Sequence, residues 1–118
     1  MKNNYGYKEK VYFPAEGGEK ILKGSSGIDG YTLLSDDGQM MTSELILVEE
    51  KPKRKYVDEA FLDGIFVRAY TENEDTKNEE NIIYIKMDPN DSGRKRKFEI
   101  HGGVGNHPMY IDIYQKKQ

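Results

Sequence analysis

The 118-residue sequence predicts a single all-β domain, an antiparallel β-sandwich or barrel of seven or eight short strands. Three observations carry that prediction. The C-terminal third, Asn81 to Gln115, alternates with a period of two: Ile83, Ile85 and Met87 oppose Ile82, Tyr84 and Lys86, and Ile111 and Ile113 oppose Tyr110, Asp112 and Tyr114. Turn-forming clusters, Pro89 to Gly93 and Gly102 to Pro108, separate these runs. No apolar stripe with a 3.6-residue period and useful length occurs anywhere in the chain.

Taken in order, residues 1–7 read as a flexible N-terminal arm, and 8–118 as the domain. Lys8 to Phe13 is a first strand, with Val11 and Phe13 opposed to Tyr12. Pro14 has no N–H for a ladder and stops it. Gly17 and Gly18 make a turn or bulge before Glu19 to Lys23 resumes as a strand, which is how an edge strand passes from one sheet of a sandwich to the other. Gly24 to Gly27 is a loop, Gly30 to Ser35 a strand, and Asp36-Asp37-Gly38 a turn. Glu44 to Glu49 is a strand, followed by the charged stretch Glu50 to Lys55. Asp58 to Leu62 has the length of one helical turn, and Gly64 to Tyr70 returns to strand alternation. Thr71 to Asn81 has no apolar residue to bury and is an exposed loop.

Composition narrows the function classes. With 36% hydrophobic and 33% charged residues the core must be thin. Nine tyrosines and no tryptophan suit strands with one wet face. A net charge of −3 gives no general attraction to nucleic acid or an anionic membrane, and no apolar run approaches the ~18 residues of a membrane span. Without cysteine there is no disulfide framework, thiol nucleophile or cysteine-based zinc site. The opening MKNNYGYKEK lacks the apolar core of a signal peptide.

Several motifs compete for a role. Asp88, Asn90, Ser92, Gly93 and Glu99 match the ligand spacing of an EF-hand calcium loop. Their flanks are strands, however, and Arg94 to Lys97 would crowd a divalent ion with four cations. A polar connection in which Asn90 bonds its own backbone and Gly93 takes a positive φ is the simpler reading. The basic runs Lys51 to Lys55 and Arg94 to Lys97 lack interleaved aromatics and read as charged strand edges instead of nucleic-acid contacts. His101 and His107 flank a glycine-rich turn, where with Asp112 they would make at most a poor metal site. No Gly-x-Ser-x-Gly elbow frames a serine, and the adjacent pairs Asp36/Asp37 and Glu49/Glu50 point to opposite strand faces. These patterns imply no catalysis, no metal and no cofactor. What remains is the tyrosines, whose exposed rings would stack on sugars or form a protein-binding patch.

Two stretches resemble a known family. Val11-Tyr-Phe-Pro-Ala-Glu-Gly-Gly-Glu-Lys-Ile21 is similar to the opening strand of BACON domains. Ile83-Tyr-Ile-Lys-Met-Asp-Pro-Asn90, then Arg94 or Arg96 with Lys97-Phe98-Glu99-Ile100, then Ile111-Asp-Ile-Tyr-Gln115, resembles its closing pattern of Asn, Arg and a final Gln. The family's tryptophan after the second strand is absent, with Tyr31 in its place, and Met40 to Tyr70 has no counterpart. The resemblance implies an immunoglobulin-like sandwich from exported or surface proteins of Bacteroidetes-type bacteria, often attached to glycan-handling enzymes. It implies no catalytic residue, and makes Gly17, Gly18, Asn90, Gly93 and Arg96 turn and strand-edge structure.

The expectation is therefore a non-catalytic, exported, periplasmic or cell-surface accessory module. It would recognise surface glycan or mucin through Tyr31, Tyr56 and Tyr70, or act as a spacer. The alternative is a protein-interaction domain, an adhesin or assembly subunit, that pairs through an exposed strand edge.

Overall fold

The structure is a computed structural model describing residues 1–118. It is all-β, with ten strands: β1 Lys10–Phe13, β2 Gly18–Gly24, β3 Tyr31–Ser35, β4 Met40–Thr42, β5 Glu44–Glu49, β6 Lys55–Leu62, β7 Ile65–Glu72, β8 Glu80–Met87, β9 Arg96–Val104 and β10 His107–Gln115. Two five-stranded sheets pack into a β-sandwich, in the orders β1-β10-β9-β3-β4 (sheet 1) and β2-β8-β7-β6-β5 (sheet 2). The core between them holds Val11, Phe13 and Leu33, Phe98 and Ile100, and Ile111 and Ile113 from sheet 1. Facing these are Leu22, Ile65, Val67, Ile83 and Ile85 from sheet 2. These are the inward positions of the alternating strands.

Four expectations change. The strand count is ten, because Met40–Thr42 pairs with β3 and the stretch read as a helical turn belongs to β6. Alternation in β6 is obscured because its inward set, Tyr56, Asp58, Ala60 and Leu62, includes an acid and an exposed ring, while the outward Val57 is buried. The sheets are also not wholly antiparallel, since β1 runs parallel to β10, with Tyr12 opposite Tyr114. Finally, residues 1–7 are not a loose arm. Tyr5 and Tyr7 are buried in the core, and burial pushes the Tyr7 phenol up to about 12. The Tyr5 hydroxyl donates to the His107 carbonyl at 2.5 Å and accepts from the Val104 N–H at 2.9 Å. The polar residues around the two rings conceal this anchor, which fastens the N-terminus across the β9–β10 hairpin.

The glycine pair acts as expected. β1 belongs to sheet 1 and β2 to sheet 2, so the chain changes sheets between Pro14 and Gly18. Gly17 has φ +83°, and a Cβ there would lie 2.2 Å from the Met87 carbonyl oxygen.

The last change of sheet, from β8 to β9, is held by two buried amides. Asn90 Nδ2 donates to the carbonyls of Arg94 (2.7 Å) and Lys116 (2.9 Å), and its Oδ1 accepts from the Ser92 N–H (3.1 Å) and hydroxyl (2.6 Å). Gln115 Nε2 donates to the Asp88 carbonyl at 2.9 Å and reaches the Pro14 and Ala15 carbonyls at 3.3 and 3.4 Å. The two amides thus join the β1–β2 and β8–β9 crossovers to the end of β10. Gly93 has φ +81°, completing the connection as a turn. Arg96 stacks over Phe98 at 4.6 Å and donates to the carbonyl (2.9 Å) and carboxylate (2.6 Å) of Asp63, tying β9 to the β6–β7 hairpin of the other sheet. The side chains of Asn90 and Arg96 are thus engaged within the fold.

Candidate functional site

The three tyrosines expected to bind ligand do not converge. Tyr31 is 4% exposed, and its ring lies in the core. Its hydroxyl donates across the sandwich to the Val67 carbonyl at 2.5 Å, with the Asp58 carbonyl at 3.2 Å. Burial, reinforced by the Asp58 charge, raises its pKa far above the phenol range. Tyr31 is therefore a core residue and no ligand platform. Tyr56 and Tyr70 lie on opposite faces of sheet 2, since Asp58 pairs with Ala69 on the inner face and Tyr70 pairs with Ile82 on the outer one. Tyr56 is exposed and Tyr70 is half-buried, with the Lys55 ammonium 5.8 Å from its ring.

The rings that gather are others. With Val11, Phe13, Ile111 and Ile113 turned inward, the alternate residues of sheet 1 form an uncovered outer face. Register aligns them in rows: Tyr12, Tyr114 and Lys97; Lys10, Asp112, Glu99 and Leu34; and Tyr110, His101, Thr32 and Thr42. Tyr12 and Tyr114 stack with centroids 5.3 Å apart and planes within 16°. His101 meets Tyr110 edge-on at 4.9 Å. Tyr12 and Tyr110 are 59% and 55% exposed. Between the aromatic rows Lys97 lies 3.9 Å from both Glu99 and Asp112, and His101 Nε2 is 3.1 Å from Glu99 Oε1.

Such a surface offers flat apolar rings beside polar groups able to donate and accept hydrogen bonds. At the Tyr110 end it opens into a depression of about 660 Å³, bordered by Asp29, Thr42, Ser43, Asp58 and His101. Burial, with the charge of Asp29, raises the Asp58 carboxyl above its ordinary pKa. Outward alternation in Tyr110-Ile111-Asp112-Ile113-Tyr114 was the sequence signal for this face. The parallel pairing that sets Tyr12 beside Tyr114 left no such signal.

The other motifs separate or are engaged. His101 and His107 are three pairs apart along the β9–β10 ladder and so face opposite ways. Asn90, central to the EF-hand spacing, spends its side chain on backbone and Ser92.

A second exposed feature is the edge strand β5. Its only ladder partner is β6, and Leu45, Leu47 and Val48 are exposed along it. Met40 and Met41 of β4 are exposed on the same side of the sandwich.

No protein-family model matches the chain, and no curated protein sequence matches it. Among solved structures it is similar to an NMR structure of a protein from Bacteroides thetaiotaomicron, with a TM-score of 0.55 and 16% identity over 98% of this chain and 82% of that one. At that identity the likeness concerns the fold. No helix is long and apolar enough to cross a membrane.

Proposed function

We propose that this protein is a non-catalytic carbohydrate-binding module, exported and of the immunoglobulin-like, BACON kind, which recognises surface glycan or mucin on the outer face of sheet 1. The observation that carries the reading is the stacked, solvent-facing Tyr12–Tyr114 pair, with Tyr110 and His101 beside it on one flat face. A pyranose ring lays its C–H face on such a platform, and its hydroxyls reach Asp112, Glu99 and Thr32. The immunoglobulin-like assignment is supported by connectivity. Strands β3, β9 and β10 adjoin in the manner of C, F and G, and β2, β8 and β7 in the manner of B, E and D. Tyr31 on β3 fills the core position of that fold's buried aromatic.

The test is a glycan-array and mucin pull-down with wild type, Tyr12→Ala, Tyr114→Ala and, as a control on the other sheet, Phe61→Ala. Binding lost in the two tyrosine variants but kept in Phe61→Ala, with all four proteins folded and melting cooperatively, supports the reading. Equal binding by all four proteins refutes it.

The uncovered apolar β5 edge favours a second reading, in which a partner's strand adds to sheet 2. A mass that rises with concentration in wild type, but not in Leu45→Lys/Leu47→Lys, would favour it. A mass independent of concentration removes self-pairing through this edge.

A further inference from the structure

The opposite side of the sandwich, between edge strands β1 and β2, is a groove of about 610 Å³ lined by five lysines: Lys2, Lys8, Lys10, Lys20 and Lys23. No carboxylate lines it. The chain's net charge of −3 becomes −8 once these five are set aside, so the cations are concentrated against the trend of the molecule. The fold brings them together from three elements. The Lys2–Lys8 bridge folds the N-terminal segment back, β1 supplies Lys10, and β2 supplies Lys20 and Lys23. Lys23 is paired with Glu80 at 2.8 Å, whereas Lys2, Lys8, Lys10 and Lys20 make no ion pair. The Lys20 ammonium lies 5.6 Å from the Phe13 ring. Buried Val11 and Leu22 form the floor, and exposed Tyr12 and Ile21 the rims.

Lysine on an edge strand also discourages aggregation. That role does not require ammonium groups from three elements to line one concavity, nor the exclusion of every carboxylate from it. Tyr12 belongs both to this groove and to the stacked pair on the outer face of sheet 1. A chain lying on the tyrosines therefore runs over the β1 edge directly into the lysines. At the far end, the depression beside Tyr110 has Asp29 and Asp58 on its walls and neither lysine nor arginine.

We infer that the groove binds the anionic units of an acidic glycan, one bearing uronate or sulfate groups. This names the ligand class of the proposed module and rests on that reading. An extended polyanion gains from several point charges along one groove and needs neither the forked geometry of arginine nor the repeated base-stacking rings that a nucleic acid exploits.

The test measures binding of the full chain to a polyuronate, a sulfated galactosaminoglycan, a carboxyl-reduced form of the polyuronate and a single-stranded oligonucleotide. Wild type is compared with Lys8→Gln/Lys10→Gln/Lys20→Gln and with Tyr114→Ala. The expected result is acidic-glycan binding that weakens roughly tenfold or more in the lysine variant and again on raising salt from about 0.05 to 0.5 M, with melting unchanged. The polyuronate and sulfated arms show which anionic group is preferred. Equal binding of the carboxyl-reduced and acidic chains, undiminished binding by the lysine variant, oligonucleotide binding as tight as glycan, or no binding of any acidic glycan overturns the inference. Neutral binding lost in Tyr114→Ala but kept in the lysine variant would sink the groove and leave the tyrosine face. Acidic binding lost in the lysine variant but kept in Tyr114→Ala would do the reverse.

Discussion

Asn90 is 2% exposed and its side chain makes four hydrogen bonds, two donated to main-chain carbonyls and two accepted from Ser92. Replacement by alanine removes all four. At about 1 kcal/mol net for each bond the ceiling is near 4, and water reaching the exposed Ser92 and Arg94 returns part of it. A loss of about 3 kcal/mol follows, or roughly 12 °C in melting temperature at about 4 °C per kcal/mol for a domain of this size. Asn90→Asp sharpens the test, because it keeps the shape and reverses one half of the chemistry. A carboxylate oxygen would face the Arg94 and Lys116 carbonyls where the amide now donates, at 2.7 and 2.9 Å. That carboxyl would titrate above its unfolded value. Its penalty is therefore absent below about pH 4, grows as pH rises through the folded pKa, and is complete beyond it. Urea unfolding of the three proteins at pH 4 and pH 7 measures both effects. An Asn90→Ala loss below about 1 kcal/mol, or an Asn90→Asp protein as stable as wild type at pH 7, would refute the view of this residue as the pin of the crossover.

Three further outcomes follow from the same geometry. Tyr31→Ala should cost about 3–5 kcal/mol by core truncation, and Tyr31→Phe about 1 through the lost bond to the Val67 carbonyl, as thermal melts will show; a variant that loses glycan binding at unchanged stability would return Tyr31 to the site. Asp58, raised by burial and by Asp29, is harder to ionise folded than unfolded, so its charge destabilises the protein increasingly as pH climbs through the folded pKa. Asp58→Asn should be the more stable protein at pH 7, with the advantage vanishing near pH 4; a constant difference across that range would contradict the assignment. Gly17→Ala forces a Cβ into the Met87 carbonyl at φ +83° and should cost about 2 kcal/mol or more by denaturant titration, against near neutrality for an unstrained turn.

Strand alternation made most of the core legible, because Val11, Phe13, Ile83, Ile85, Ile111 and Ile113 needed only a period of two to be placed inside. It also made the change of sheet at Gly17-Gly18 legible, since proline followed by paired glycine ends one ladder and permits another. Long-range pairing was not legible. β1 meets β10 across about a hundred residues, and no local property of Val11-Tyr12-Phe13 indicates a parallel neighbour. The choice of tyrosines suffered from the same gap. Tyr31 and Tyr12 both sit in short alternating strands, and only the assembled sandwich puts one ring under sheet 2 and the other in water. β6 was missed because an acid, Asp58, sits in the middle of its inward set, tolerated there because it is only half covered beside an open depression.

Two groups of tyrosines differ in what their hydroxyls do. Tyr5 and Tyr31 are buried, and each spends its hydroxyl on main-chain groups that join distant strands. Tyr12, Tyr110 and Tyr114 make no hydrogen bond through theirs and turn them away from the core on one face. If that face served only to hold β1 against β10, the stacked pair would contribute about 0.5–1.5 kcal/mol, and phenylalanine would supply the same stack. The Tyr12→Phe/Tyr114→Phe protein therefore separates two roles. It should keep its melting temperature because the rings remain, and lose whatever part of glycan affinity the two hydroxyls provide. The alanine variants lose the platform itself. A graded loss of binding across tyrosine, phenylalanine and alanine, against stability that changes only at alanine, is the pattern a recognition surface produces and a purely structural pair does not.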